Sequence, residues 1–245
     1  MNIWKKICGK LLKFLLPEKI PEFATSMYIS LAKGTKTEFY RTIAREIIER
    51  TDMRNDVWNL LDIGTGPGFM LFEIAELRHD LELVGVDLSE KLIEFAKNET
   101  EKRGYSNIFL EIGDANCLRF EDKVCDFIIS SGVLHSLKNP SAAIREWLRV
   151  LKPGHELWIY DPTVLIAEDE AKDYCRLDKI FEDMEKSLTT RKDRLIFRLM
   201  RWISNLPPHP MSLERIYEIV QDVGVVELIS VKDKRDYVKI EIIKK

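Results

Sequence analysis

The sequence contains few cysteines, and they are too scattered to indicate a metal centre or a disulfide framework. Its 245 residues include four cysteines, at positions 8, 117, 125 and 175. None of them forms a C-x-x-C pair or lies in a cluster with histidine. A zinc site or a set of disulfides would need such spacing. We therefore predict that the protein has no metal site and works in a reducing, intracellular setting.

Long apolar runs are also absent. No stretch approaches the roughly 20 apolar residues that a membrane-spanning helix needs. The N-terminal region begins like a signal peptide, but Lys10 and Lys13 interrupt its apolar stretch and no small-residue cleavage site follows. We expect this region to be retained and the protein to be cytoplasmic. The net charge of −3 gives no indication of general nucleic-acid binding, so no nucleic-acid partner is expected.

Residues 1–56 have the periodicity of helices and are predicted to form an N-terminal helical cap. The segment Ile3–Leu16 places apolar residues at helical spacing among four lysines. This pattern predicts a basic amphipathic helix, which Pro17 ends. A second helix is predicted at residues 36–50, where apolar residues again share one face.

From residue 57 the chain alternates between strand and helix patterns. Strands are predicted at residues 59–63, 81–86, 108–112, 124–130 and 156–160, and helices at residues 69–77, 90–103 and 141–151. Such alternation is typical of a parallel sheet with helices on both faces, and right-handed crossovers make the sheet doubly wound. We predict an α/β fold with a nucleotide-binding core at residues 57–161.

Residues 162–211 depart from this alternation. They are acidic and then basic, and they carry a markedly apolar helix at residues 195–203. This pattern predicts a helical insert rather than another strand and helix. Residues 212–245 then predict a closing helix and two strands, which are close enough in sequence to pair as an antiparallel hairpin. We expect residues 1–245 to form a single domain.

A glycine-rich turn follows the first predicted strand of the core. Gly64, Gly66 and Gly68 alternate with other residues, and a helix pattern starts directly after them. Glycine is needed where a backbone turns tightly and approaches a ligand, and a helix N-terminus offers free N–H groups. Phe69 and Met70 exclude the Gly-Lys-Ser/Thr end of a phosphate-binding P-loop. Phe69 also stands where a dinucleotide-binding fingerprint needs glycine or alanine, which argues against a nicotinamide-dependent oxidoreductase.

Two carboxylates follow the next two predicted strands. In open α/β sheets, ligands bind beyond the carboxyl ends of the strands, so we predict that Asp87 accepts the ribose hydroxyls of an adenosine. The alternative is that Asp87 only caps the helix that starts near Glu90. Asp114 is predicted to accept the adenine amino group, with Ala115 donating through its backbone. The alternative here is that Gly113 and Asp114 only form a surface turn.

Five blocks of sequence, taken in order, resemble the class I S-adenosylmethionine-dependent methyltransferases, which have a seven-stranded, Rossmann-like fold. The blocks are LDIGTGPG, VGVDLSEKLIEFAKN, IGDANCL, DFIISSGVLHSLKNP and EWLRVLKPGHELWIYDP. They are most similar to the branch that acts on small molecules, quinones or lipids. The resemblance implies a mostly parallel seven-stranded sheet with a C-terminal antiparallel hairpin. It also implies methyl transfer from S-adenosyl-L-methionine, with S-adenosyl-L-homocysteine as the product.

The resemblance further implies roles for individual residues. The three glycines would surround the methionine part of the cofactor, and Asp62 would orient their turn. Asp87 would bind the ribose, and Leu88 beside it is assigned to the same site. The remaining residues implied to bind the cofactor are Asp114 and Ala115, at the adenine, and Ser130, Ser131 and Gly132, beside the sulfonium.

A general base is needed only if the methyl acceptor carries a proton of high pKa, so no catalytic residue is assigned outright. The conditional candidates are His135, in the fourth block, and Tyr28 and Tyr40, from the N-terminal helices. Each candidate has a structural alternative. His135 could pack under the loop that follows it, and both tyrosines could be packing residues.

The acceptor is expected to be a small molecule or a lipid-like molecule. The N-terminal helix and the insert would select it, either by packing on each other as a lid or through contact of Ile3–Leu16 with a membrane surface. Two functions of different class are open. One is methyl transfer, and the other is a catalytically silent S-adenosylmethionine-binding or scaffold protein of the same fold. No pattern in the sequence indicates an oligomeric state.

Overall fold

The computed structural model describes residues 20, 22–35, 37–54, 56–162, 185–186, 188, 190–204, 213–224, 226–233 and 237–245. Its main helices are α1 (Thr25–Thr35), α2 (Thr37–Asp52), α3 (Phe69–Ala75), α4 (Glu90–Arg103), α5 (Pro140–Val150), α6 (Arg191–Ser204) and α7 (Leu213–Val223). Its strands are β1 (Asn59–Ile63), β2 (Glu82–Asp87), β3 (Ile108–Ile112), β4 (Cys125–Ser131), β5 (Leu151–Pro162), β6 (Val226–Asp233) and β7 (Tyr237–Lys244). The predicted helix at Ile3–Leu16 lies outside the described residues.

These strands form one sheet in the order β3-β2-β1-β4-β5-β7-β6. Parallel pairing runs from β3 through β5, and β7 pairs antiparallel with both β5 and β6. The strand order reverses between β1 and β4, as doubly wound sheets require. The predicted fold is therefore confirmed: an α/β, mostly parallel, seven-stranded sheet that ends in an antiparallel hairpin.

The alternation of side chains along β1 divides the core into two layers. Leu61 and Ile63 pack in the layer that also contains buried residues of α5 and α7. Leu60 packs in the other layer, with buried residues of α2 and α3. Both faces of the parallel strands are thus covered, which such sheets need because their strands are apolar on both sides. Asp62 shares the face of Leu60 and so lies on the side of α2 and α3.

Two elements differ from what the sequence pattern predicts. The helix α1 is not predicted, because TSMYISLAKGT shows little apolar periodicity and contains Gly34. The strand β5 begins at Leu151, whereas the sequence predicts a start at residue 156. The later start is predicted because Pro153 and Gly154 normally mark a turn. The strand instead continues through them with a shift of register against β4, and Gly154 takes the positive φ of 74° that this irregularity needs.

A group of buried charged side chains joins α2 to the sheet. Lys239 of β7 is 3% exposed, and its Nζ lies 2.9 Å from Oε2 of Glu46 in α2 and 2.7 Å from Oε1 of Glu241. The same ammonium lies 3.3 Å from the centroid of the Trp158 ring, where the face of an aromatic ring attracts a cation. These partners replace the water that a buried cation loses. Because α2 follows α1 directly, the group also anchors the N-terminal helices.

Replacing Lys239 with methionine tests this anchor. The change leaves two carboxylates without their buried cation, so we expect the free energy of unfolding to fall by about 3 kcal/mol in urea denaturation. Glu218→Gln is the control, because it breaks the exposed Arg215–Glu218 pair and should change stability by less than about 0.5 kcal/mol. Equal effects of the two changes would show that the buried group does not stabilise the fold.

Candidate functional site

The predicted site residues converge on one edge of the sheet. The neighbouring strands β1 and β4 lie where the strand order reverses, and this position marks the ligand crevice of open α/β sheets. The glycine turn leaves β1 at this edge, and Ser131 ends β4 there. Asp87 ends β2, beside β1, and Asp161 lies near the end of β5, beside β4. Residues from four parallel strands therefore meet around the crevice.

The turn between β1 and α3 requires residues without side chains. Gly64, Gly66 and Gly68 have φ angles of 75°, 57° and 79°, in the left-handed region. A Cβ added to Gly64 would lie 2.1 Å from Cγ2 of Val133, and a Cβ on Gly66 would meet the Tyr28 ring at 3.6 Å. Any larger residue at position 64 would have to displace the loop after β4. The turn thus exposes its backbone directly to the crevice.

Asp87 holds the turn in place. Its Oδ2 accepts a hydrogen bond from the Gly66 N–H at 2.9 Å, and its Oδ1 accepts one from the Ser89 N–H at 2.8 Å. Burial raises the pKa of Asp87, and these two N–H donors oppose the rise. Each oxygen still has a lone pair that could accept a hydroxyl. Ser89 occupies the N-cap position of α4 without a side-chain capping bond, and the bond to Gly66 shows that Asp87 contacts more than the helix start.

Asp62 lies behind the glycine turn and is 2% exposed. Burial raises the pKa of Asp62, Thr65 lowers it and the charge of Asp87 raises it, so that the resulting pKa is about 7. A carboxyl group with this pKa can change its charge near neutral pH. The position fits the implied role of Asp62 in orienting the turn.

Asp114 and Ala115 follow β3 in a tight turn. Oδ1 of Asp114 accepts hydrogen bonds from both the backbone N–H and the side-chain amide of Asn116, at 2.8 and 2.9 Å. The segment thus forms a turn. Both Asp114 and Ala115 are half-buried, and the turn does not exclude their predicted role at the adenine.

Two apolar side chains border this end of the crevice. Leu88 is 37% exposed and Ile112, which pairs with Asp87 across the sheet, is 45% exposed. Both line a cavity of about 110 Å³. Exposed apolar surface beside a carboxylate suits a purine attached to a ribose. Leu88 is a predicted site residue, whereas Ile112 is not.

The residues at the end of β4 divide into two groups. Ser130 is fully buried, and its hydroxyl donates to the carbonyl oxygen of Ile63 at 2.9 Å. This side chain ties β4 to β1, so it does not line the crevice. Ser131 and Gly132 are half-buried at its edge, and the Gly132 N–H donates to the Tyr160 carbonyl oxygen at 2.7 Å.

The two tyrosine candidates have different surroundings. Tyr28 of α1 is half-buried and its ring lies over the glycine turn, as the contact with Gly66 shows. Tyr40 of α2 is 7% exposed and lies in the core layer that includes Ile43. Tyr28 therefore reaches the site, whereas the alternative that Tyr40 is a packing residue fits its burial.

His135 lies in a short 3-10 turn after β4, Leu134–Ser136. Its backbone N–H donates to Oδ2 of Asp161 at 2.9 Å, and its ring Nδ1 lies 3.2 Å from Oδ1 of the same carboxylate. The Asp161 side chain is fully buried, while the His135 side chain is 21% exposed. The ring is therefore held at one edge by a carboxylate within reach of the crevice.

The helix α6 of the insert packs on α1. Phe197 of α6 is buried in a cluster with Ala24 and Met27, and the Ser26 hydroxyl donates to Oδ1 of Asp193 at 3.4 Å. The insert thus packs on α1, whereas the lid interpretation concerns Ile3–Leu16 and stays a prediction. Membrane contact through Ile3–Leu16 stays a prediction, because these residues are not described.

No helix in the described ranges has the length and apolar character needed to cross a membrane.

Comparison with known proteins places these features in one family. A family model described as a methyltransferase domain matches residues 55–224. The chain belongs to this family. Nocamycin O-methyltransferase of Saccharothrix syringae is 28% identical over 130 residues, which cover 53% of this chain and 46% of that protein. Demethylmenaquinone methyltransferase of Symbiobacterium thermophilum is 27% identical over 139 residues, which cover 56% and 53%. The chain thus matches about half the length of these curated relatives.

Solved structures agree with the fold of the methyltransferase. A protein from Methanococcus maripaludis, described as a candidate S-adenosyl-L-methionine-dependent methyltransferase, matches with a TM-score of 0.66 and 19% sequence identity. The match covers 94% of this chain and 97% of that one. The resemblance to the class I S-adenosylmethionine-dependent methyltransferases is confirmed, and S-adenosyl-L-methionine is the cofactor of this family.

The crevice fits this cofactor. A Cβ on Gly64 would collide with Val133, the Tyr28 ring lies 3.6 Å from a Cβ placed on Gly66, and the N-terminus of α3 follows the turn. Asp87 offers lone pairs for ribose hydroxyls, and Asp62 can supply negative charge behind the turn for a cationic methionine part. Their individual roles remain proposals.

Sequence reasoning missed Asp161 as a site residue. The signal that identified Asp87, a carboxylate at the carboxyl end of a buried strand, is also present at Asp161. That signal alone does not identify Asp161 as a site residue, because only the fold shows that the loop carrying His135 lies against the end of β5.

Gly64→Ala tests the glycine turn of the methyltransferase. The new Cβ would collide with Val133, so we expect affinity for S-adenosylmethionine to fall about tenfold or more, as measured by calorimetry. Gly104→Ala is the matched control, because Gly104 has a similar φ of 72° with nothing within 4 Å of an added Cβ. Gly104→Ala should lose about 1 kcal/mol of stability from the left-handed backbone, and Gly64→Ala should lose more because of the collision. Equal affinity of the two variants for S-adenosylmethionine would contradict a role of the glycine turn in cofactor binding.

The pKa of Asp62 predicts a pH dependence of cofactor binding. Because its raised pKa is about 7, the carboxyl group is mostly neutral below that pH and anionic above it. The anion attracts the positively charged cofactor, so affinity should rise from about pH 6 to about pH 8 and then level off. Calorimetry on Asp62→Asn should show a smaller rise over the same range. An equal slope in both proteins would contradict the prediction.

Proposed function

We propose that this methyltransferase transfers the methyl group of S-adenosylmethionine to a small-molecule or lipid-like acceptor by in-line displacement. The observation that carries the proposal is the 2.9 Å hydrogen bond between the Gly66 N–H and Asp87 Oδ2. It joins the backbone turn after β1 to the carboxylate after β2, so one adenosine can contact both. A carboxylate that only capped a helix would not need this bond.

The chain mainly has to align the donor with the acceptor. S-adenosylmethionine supplies an electrophilic methyl carbon on a positively charged sulfur. Holding two reactants in line can lower a barrier by roughly 7–11 kcal/mol. Ser131, Gly132 and Tyr28 lie at the edge from which an acceptor would approach. The packed helices α1 and α6 would exclude water from the same space, which frees a nucleophile from its hydration shell.

The acceptor class is supported by the relatives and by the surroundings of the crevice. The two curated relatives are named for methylation of nocamycin and of demethylmenaquinone. The contact between α1 and α6 is made by apolar residues that include Met27 and Phe197. This apolar contact favours an organic acceptor over a nucleic acid or a highly charged metabolite.

The second candidate function is a silent S-adenosylmethionine-binding protein. The same pocket would bind the cofactor in both cases, so binding alone does not separate them. Formation of S-adenosylhomocysteine with a mixed panel of phenols, quinols, amines and fatty acids does. Cofactor binding without product from any acceptor would favour the silent protein.

Asp87→Asn tests the cofactor site on which both functions depend. The amide offers one oxygen and places an NH₂ group against an N–H donor, so the turn and the ribose both lose an acceptor. We expect the dissociation constant for S-adenosylmethionine to rise by about ten- to a hundredfold, from loss of hydrogen bonds to a charged group. Asp80→Asn is the control, because Asp80 lies just before the opposite end of β2. The proposal fails if the two variants bind equally.

A further inference from the structure

The β3 edge of the sheet has one face without the helical cover that parallel strands normally have. The connection from β3 to β4, residues 113–124, is described throughout and contains no helix. Phe109 of β3 pairs with Val84 of β2, so both side chains point to the side of α5 and α7. Phe109 is nevertheless 52% exposed, and Val84 is only half-buried although its strand has a neighbour on each side. The sheet therefore presents apolar surface at this edge.

A groove of about 610 Å³ runs along the free edge of β3, between α4 and Phe120. Its charged side chains are one ammonium, Lys97, and three carboxylates, and all four are exposed; the carboxylates are Glu82, Glu101 and Glu111. None of the three carboxylates forms an ion pair within the part of the chain that the structure describes. The groove thus combines exposed aromatic surface with net negative charge, which suits an amphipathic segment that carries lysines.

The described part of the chain begins close to this groove. Ile20 and Ile112 line the same small cavity of about 110 Å³, and Ile112 is the last residue of β3. An ion pair holds this point to the start of α4, because Oε2 of Glu22 lies 3.0 Å from Nζ of Lys91. Residues 1–19 therefore join the described chain at the carboxyl end of β3.

The segment Ile3–Leu16 has the length and the charge that the groove requires. The helix predicted from its sequence would be about 21 Å long, and a strand of the length of β3 spans about 17 Å. Residues 17–19 can bridge about 10 Å, which is enough to bring the segment from Ile20 to the strand. The four lysines of the segment are opposite in charge to the carboxylates of the groove, and its apolar face matches the exposed ring of Phe109.

We propose that Ile3–Leu16 docks as a helix in the groove along β3, with its apolar face on Phe109 and its lysines at the three carboxylates. The docked helix covers the face of β3 that the rest of the chain leaves exposed. It also blocks the free edge of the strand, which would otherwise be open to pairing with another chain. The inference goes beyond methyl transfer and does not depend on it. A second copy of the chain and a membrane surface are the competing partners, for the groove and for the segment respectively.

Zero-length cross-linking of the full chain tests the contact directly. A carbodiimide joins a lysine to a carboxylate only where the two side chains touch, and peptide mass spectrometry identifies the pairs. We expect links from the lysines of Ile3–Leu16 to the carboxylates of the groove, and the Lys91–Glu22 pair is the internal control. In an equal mixture of ¹⁴N- and ¹⁵N-labelled protein, these links should join peptides of one isotope. Links between the isotopes would assign the groove to a second copy and overturn the proposal, as would a linked control without links to the groove.

Glu101→Gln combined with Glu111→Gln removes two carboxylates of the groove without adding a charge. Trypsin cleaves after lysine, so the rate of cleavage within Ile3–Leu16 reports how often the segment leaves the groove. We expect this rate to rise about threefold or more in the double variant, because the charge pairs that hold the segment are lost. The matched control is Glu49→Gln combined with Glu218→Gln, because both residues are exposed and neither lines the groove. Equal cleavage rates in the two double variants would overturn the proposal.

Cosedimentation with vesicles of phosphatidylcholine and phosphatidylglycerol separates the groove from a membrane. Docking and membrane binding would use the same apolar face of Ile3–Leu16, so the two compete. If the segment has affinity for these vesicles, the groove variant should release it, and the bound fraction should rise about threefold over that of the control variant. Vesicle binding that is equally strong in the wild type and both variants would assign the segment to a membrane surface and overturn the proposal. No vesicle binding by any of the three proteins would exclude this membrane and support docking.

Discussion

The backbone turn between β1 and α3 is the constraint on which the rest of the site depends. Its glycines adopt positive φ angles, and Gly64 lies so close to Val133 that no Cβ fits between them. The turn carries backbone N–H groups and the start of a helix to the edge where the strand order reverses. Asp87 holds it from the neighbouring strand. A ligand at this edge therefore meets fixed dipoles and a fixed carboxylate that need no rearrangement.

Two buried carboxylates on either side of this edge differ in their surroundings. Asp62 is buried, and this burial raises its pKa to about 7. Asp161 instead accepts two hydrogen bonds from His135. Such different surroundings suit different tasks, because one group responds to a positively charged ligand and the other holds the His135 ring in one orientation. A cofactor site of the kind expected in this family accounts for the surroundings of Asp62 more directly than for those of Asp161.

The central part of the fold could be predicted closely from local patterns. The helix at Glu90–Arg103 and the strands at Asn59–Ile63 and Ile108–Ile112 have the predicted bounds, because apolar periodicity and turn residues mark both ends of each. The prediction failed where local signals and tertiary contacts disagree. Leu151–Pro162 is one strand because Leu151 already pairs with β4, and pairing with β4 and β7 resumes at Glu156 after the irregularity that contains the Pro-Gly pair. Ser130 was expected at the sulfonium, but its hydroxyl bonds within the sheet.

The sequence by itself determined the α/β fold, the glycine turn and the carboxylate at position 87, because each depends on residues close together in the chain. Only the tertiary structure decided which distant residues meet. Val133 closes the space beside Gly64, Asp161 orients His135, and Lys239 ties Glu46 to the sheet. These contacts depend on the order of the strands, which sets which strand ends are neighbours. Periodicity reports the environment of a residue, but it carries no information about which distant residue fills that environment.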